Sequence, residues 1–212
     1  MHASASPASS ASGPTAMLKH LPNLLSVVRL ACAPLMVASA FENGSRSWFF
    51  ALFGAALLTD ALDGFLARRL HAESDLGRRL DSWGDYAMTV AVVAGIWLLW
   101  PEVMRREWPW FLTTLAGCLA IVASGLIRWR RVLGYHTWLA KGVAIVLPPA
   151  VVILLIGWSA IPFHGAVALQ VICGLEEMAI AFLLPSFSGH MPSLWHALRH
   201  RREERALVKS SG

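Results

Sequence analysis

An all-α integral membrane protein with about six transmembrane helices is the fold class that three features of this 212-residue chain predict. Apolar residues make up 56% of it and charged residues only 15%, against roughly 45–50% and about 25% in an ordinary soluble domain. So little polar surface cannot cover so much apolar mass. Long runs without charge are the second feature: 110–127 and 142–160 hold no charged residue, and 86–100 and 163–175 are only slightly shorter. The third is the clustering of Lys and Arg between these runs, which gives the net charge of +5 a topological meaning. Together these features exclude a soluble enzyme, a disordered chain and a nucleic-acid binder with a basic groove.

In chain order, residues 1–16 are rich in Ser, Ala and Pro and lack the basic start and apolar stretch of a signal peptide, so they read as a disordered tail. A membrane domain over 17–186 follows, with spans at 24–41, 47–70, 79–100, 110–127, 137–160 and 162–184. Trp48, Trp100, Trp108, Trp110, Trp138 and Trp158 gather near the span ends as an aromatic belt. Cys32, Cys118 and Cys173 lie far apart in apolar sequence, as small core residues rather than a disulfide or zinc framework. Residues 187–212 form a basic tail, in which 194–208 suits either a surface helix on anionic headgroups or a plain solvated segment.

An even number of spans puts both termini on one side. That side then holds Lys19, Arg29, Arg68, Arg69, Arg78, Arg79, Arg128, Arg130, Arg131, Lys141, Arg199, Arg201, Arg202, Arg205 and Lys209, and the other side only Arg46, Arg105 and Arg106. Cytoplasmic loops carry the excess of Lys and Arg, so both termini are expected in the cytoplasm and the chain in the cytoplasmic membrane. No interrupted segment in one half mirrors Pro148-Pro149 in the other, which argues against a transporter of inverted repeats.

Ionisable groups at membrane depth are costly and functional by default. Asp60, Asp63, Gly64, Ala67 and Arg68 fall on one face of the second span, and Gly77, Asp81 and Asp85 on one face of the third. A short link joins the two spans, so they are expected as antiparallel neighbours whose stripes face each other near the cytoplasmic surface. Four carboxylates so close call for cations, and hard divalent ions with oxygen ligands fit: two Mg²⁺ or Mn²⁺. Gly64 and Ala67 leave that face open, and Arg68 lies within reach of a phosphate.

These residues match the signature D-x2-D-G-x2-A-R-x8-G-x3-D-x3-D at Asp60, Asp63, Gly64, Ala67, Arg68, Gly77, Asp81 and Asp85, and so resemble the CDP-alcohol phosphatidyltransferases. Pro22-Asn23-Leu24-Leu25-Ser26-Val27-Val28-Arg29, followed by Pro34, resembles the opening of glycerophosphate-using members. The resemblance implies transfer of a phosphatidyl group from CDP-diacylglycerol to an alcohol with release of CMP, two metal ions and a homodimer in the lipid bilayer, with no nucleic-acid partner. It also implies that Asp60, Asp63, Asp81 and Asp85 hold the metals, with Asp85 as general base, and that Gly64, Ala67 and Arg68 meet the donor. Asn23, Ser26 and Ser74 stand where related enzymes touch the donor.

After the third aspartate the chain reads Asp81-Ser82-Trp83-Gly84-Asp85-Tyr86, where glycerophosphate-using enzymes and cardiolipin synthases of this type read D-P-x-A-D-K. The acceptor pocket is shaped there. Arg29, Arg128, Arg131 and Lys141 favour an anionic acceptor, with glycerol 3-phosphate leading, although each also serves as a positive-inside anchor. Phosphatidylglycerol, an inositol phosphate and serine are the alternatives within the chemistry, and a divalent-cation or proton transporter outside it. Glu176 and Glu177 lie well inside the sixth span, so at least one is expected to face protein, water or a cation, with pairing to a base such as Lys141 or Arg131 preferred over a catalytic role.

Overall fold

The computed structural model describes residues 21–70, 75–130 and 137–183, together with Ser193, Trp195 and Arg199. Ser74, Arg131, the tail 1–16 and nearly all of 187–212 lie outside the described residues, as do the side chains of Asn23, Asp63, Ala67, Arg68 and Asp81. The described chain is all helix: α1 Leu21–Asn43, α2 Arg46–Leu70, α3 Asp75–Leu99, α4 Pro101–Trp129, α5 Trp138–Leu155 and α6 Ile161–Leu183. Among the described residues, α1, α3, α4, α5 and α6 each hold a stretch long and apolar enough to cross a membrane.

Two boundaries differ from the sequence-based expectation. Helix α4 starts at Pro101 rather than near 110. Proline at the first helical turn forfeits no hydrogen bond, and the polar residues that resemble a loop pair within the helix instead. Arg105 bonds Glu102, and Arg106 Nε lies 2.8 Å from Glu107 Oε1. Helix α5 begins as expected, with the Thr137 hydroxyl accepting the Ala140 N–H at 3.1 Å as N-cap, but it ends at Leu155. Gly157 adopts φ 80°, a conformation open to glycine, and turns the chain toward α6.

The helices form two groups of three. Helix α1 packs along both α2 and α3, while α6 packs along both α4 and α5, and α3 joins the groups through its contact with α4. Helices α4 and α6 run in the same direction, because Glu107 meets His164, Thr114 meets Gln170 and Ile121 meets Gly174. Large buried side chains collect where α2, α4 and α6 begin and α3 and α5 end: Phe49, Ile96, Trp100, Phe111, Leu154 and Phe163. Phe49 stands edge-on to Trp100 at 5.2 Å between centroids, and Phe111 and Phe163 are 4.9 Å apart. Lipid tails are as apolar as these rings, so close packing rather than escape from water holds this core together.

Much of the two aspartate stripes expected to face each other lies outside the described side chains, Asp63 and Asp81 among them. Among the described residues α2 and α3 make few direct contacts, and those described in atomic detail lie at the end remote from the aspartates. There the Phe49 ring covers Gly95, and Arg46 donates to the Leu99 carbonyl from Nε at 3.2 Å and Nη2 at 3.0 Å. At the aspartate end the described connection runs through α1, whose Arg29 reaches both Asp60 and Asp85.

Candidate active site

Helix α1 buries one stripe, Ser26, Arg29, Ala33, Met36 and Ala40, at alternating spacings of three and four. Its far end is apolar and its near end is polar. Arg29 is only 2% exposed, and a charge so deeply buried must be paired. Its Nη1 donates to Asp60 Oδ1 on α2 and lies 3.8 Å from Asp85 Oδ1 on α3. The carboxylates themselves stay open, with side chains 46% and 61% exposed. One sealed guanidinium therefore draws together two accessible carboxylates from different helices.

Gly84 makes room for it. A Cβ at this position would lie 2.9 Å from Arg29 Nε and 3.4 Å from Nη2, so any side chain would displace the guanidinium. Sequence reasoning missed Gly84 as a site residue and gave Arg29 to the acceptor or to positive-inside anchoring, not to the aspartates. The available signal was an arginine in an otherwise charge-free stretch of α1, together with a glycine beside Asp85 in α3.

Of the residues expected at the site, the structure brings together Asp60, Asp85 and Arg29, with buried Ser26 one turn from Arg29 and half-buried Gly64 one turn beyond Asp60. By helical register, Asp63, Ala67 and Arg68 continue the Asp60 side of α2, and Gly77 and Asp81 precede Asp85 on α3. Arg128 is exposed on the last turn of α4. Lys141 is exposed on the first turn of α5, its Nζ 4.9 Å from the Trp138 ring centroid. Glu177 is buried, and its Oε1 accepts from Cys173 Sγ at 3.8 Å. The expected partner Lys141 turns to the tryptophan ring instead, and Arg131 lies outside the described residues.

Among the described residues no group of three His, Cys, Asp or Glu could hold a metal ion, since the Asp63 and Asp81 side chains are not described. The chemistry of the donors nonetheless fits a hard divalent cation. Asp60 and Asp85 offer only carboxylate oxygens, and they already converge on a cationic group, the guanidinium of Arg29.

A model of the CDP-alcohol phosphatidyltransferase family matches residues 19–183, which contain all six helices. The chain belongs to this family. Among curated phosphatidyltransferases and synthases, it is 29% identical over 214 residues to a CDP-diacylglycerol–glycerol-3-phosphate 3-phosphatidyltransferase of Pseudomonas fluorescens, covering 91% of this chain and 100% of that one. It is 31% identical to a cardiolipin synthase (CMP-forming) of Oryza sativa over 55% of this chain and 37% of the relative. With a putative cardiolipin synthase of Mycobacterium bovis it shares 35% identity over 52% and 51%. The chain thus spans about a third to a half of the length of these cardiolipin synthases. No solved structure matches it.

Proposed function

We propose that this protein transfers a phosphatidyl group from CDP-diacylglycerol to the hydroxyl of an alcohol and releases CMP, with glycerol 3-phosphate as the acceptor. The observation that carries this reading is the convergence of Asp60 and Asp85, from two helices, at the positions of the family signature. Asp60, Asp63, Asp81 and Asp85 would hold two divalent cations, Mg²⁺ or Mn²⁺. When bound, these cations supply positive charge against the donor's diphosphate and the departing CMP.

The residues of the chain do the rest. Asp85, the more exposed of the two described carboxylates, takes the proton of the acceptor hydroxyl. The acceptor oxygen forms a bond to the phosphatidyl phosphorus as the bond from that phosphorus to the CMP oxygen breaks, and CMP leaves with its electron pair. Gly64 and Ala67 let the donor approach α2, and Arg68 pairs with its phosphate. Asn23, Ser26 and Ser74 contact the nucleotide side of the donor. Arg128, Arg131 and Lys141 attract the acceptor's phosphate. A site where α2 ends and α3 begins keeps the donor's tails in lipid and admits the acceptor from the cytoplasm, where both termini lie. The protein works as a homodimer.

Glycerol 3-phosphate is favoured by the relative of Pseudomonas fluorescens, whose printed name includes that acceptor and whose whole length is matched. A second reading, phosphatidylglycerol as acceptor, draws on the higher identity to cardiolipin synthases over about half of the chain. The test is CMP release by the purified protein with CDP-diacylglycerol, Mg²⁺ or Mn²⁺, and each acceptor in turn. Release dependent on glycerol 3-phosphate is the expected result. Release dependent only on phosphatidylglycerol would replace the acceptor, and folded protein that neither binds the donor nor releases CMP would overturn the transferase.

A further inference from the structure

We propose that Arg29 is a positioning residue that sets the site's affinity for divalent cations, binding Asp60 and Asp85 with a charge of the protein's own from a seat that Gly84 leaves open. This rests on the reading that the aspartates hold divalent cations.

Three observations converge on it. Arg29 belongs to the buried stripe of α1, whose remaining turns pack in the apolar core, so the guanidinium is fixed in place by the helix that carries it. Its two described carboxylate partners are both candidate metal ligands, and they come from two different helices. Gly84, on the turn of α3 that carries Asp85, provides space that even a methyl group would close.

The consequence is electrostatic. Oxygen lone pairs directed at a guanidinium are less available to a metal, and a fixed positive charge among the ligands repels a divalent cation. Arg29 therefore weakens metal binding on its own account. It also leaves the loaded site cationic: four carboxylates balance two divalent ions, and the charge of Arg29 remains in excess. An anionic diphosphate restores the balance, so metal and donor bind more tightly together than either does alone.

The experiment is Mn²⁺ titration of the full-length, chelator-stripped protein in detergent, read by electron paramagnetic resonance, with CMP release measured in parallel at saturating Mn²⁺. Without donor, Arg29→Met should bind Mn²⁺ about tenfold more tightly than wild type yet turn over about tenfold more slowly, because a competing charge and a positioning contact are lost together. Arg29→Lys, which keeps the charge, should stay within about threefold of wild-type Mn²⁺ affinity. Gly84→Ala should shift affinity in the same direction as Arg29→Met by a few fold.

A folded Arg29→Met protein whose Mn²⁺ affinity is unchanged or weaker overturns the proposal. Should that variant fail to fold, Gly84→Ala decides: lower thermal stability with unchanged Mn²⁺ affinity reduces Arg29 to a structural tie and overturns it equally. If wild type binds no Mn²⁺ with or without CDP-diacylglycerol, the metal reading itself fails and this proposal falls with it.

Discussion

Two glycines on one face of α3 receive a side chain from a neighbouring helix, and what they receive differs. Gly84 and Gly95 are about three helical turns apart. At Gly95 a Cβ would lie 2.6 Å from the Phe49 ring, and at Gly84 it would lie 2.9 Å from the Arg29 guanidinium. The same local device brings a ring from α2 into the core at one end of the helix and a cation from α1 among carboxylates at the other. The first contact is closed, because Phe49 is fully buried among Phe50, Phe53 and Trp100. The second is open, because Asp60 and Asp85 keep much of their surface exposed. A close approach at glycine serves packing where every partner is satisfied, and serves chemistry where polar atoms remain accessible.

The buried carboxylate Glu107 extends the contrast. Its two oxygens are occupied by Arg106 at 2.8 Å and His164 at 2.7 Å, and the imidazole stacks on Trp110 at 4.2 Å. One carboxylate with two partners is a finished structural tie between α4 and α6. At Arg29 the described ratio is reversed, with one cation reaching two carboxylates, and accessible acid is what a catalytic site requires.

This difference is open to test from both sides. Asp85→Asn should lower CMP release about a thousandfold at saturating Mn²⁺ and donor while leaving thermal stability near wild type; near-normal turnover would remove Asp85 as the base. Glu107→Ala should act in the opposite sense. Its loss costs about 1.5–3 kcal/mol of stability, read as a fall in melting temperature in detergent, while Mn²⁺ affinity stays unchanged. Gly95→Ala should cost about 1–3 kcal/mol by overpacking against Phe49, again with no change in Mn²⁺ affinity, so its comparison with Gly84→Ala separates the two seats. Removing the N-cap hydroxyl in Thr137→Ala should be mildest, about 1 kcal/mol, seen as fraying at the start of α5 by hydrogen exchange. A change in metal affinity in any of the last three would dissolve the distinction between a packing end and a chemical end.

Much of this was legible in the amino-acid order because membrane helices and metal-binding acids both write periodic signals. Charge-free runs located six helices, and the spacing of Asp60, Asp63, Asp81 and Asp85 gave two registered faces. The start of α4 was missed because Glu102, Arg105, Arg106 and Glu107 look like a loop until their pairing within the helix is seen. Polar residues at a helix end satisfy one another locally, and hydropathy does not register that. Glu177 was recognised as buried acid, but its contact with Cys173 on the same helix could not be separated by sequence from a pairing with Lys141.

By itself the sequence determined the helices, their number and the two stripes of aspartates, because those depend on residue type and local period. Only the tertiary structure decided what stands between the stripes. The sequence places Arg29 far from both Asp60 and Asp85, and nothing in its period assigns it to either. The packing of α1 along both partner helices seals that arginine at their junction, where the vacant side of Gly84 admits it, and long-range helix packing leaves no local trace in the order of residues.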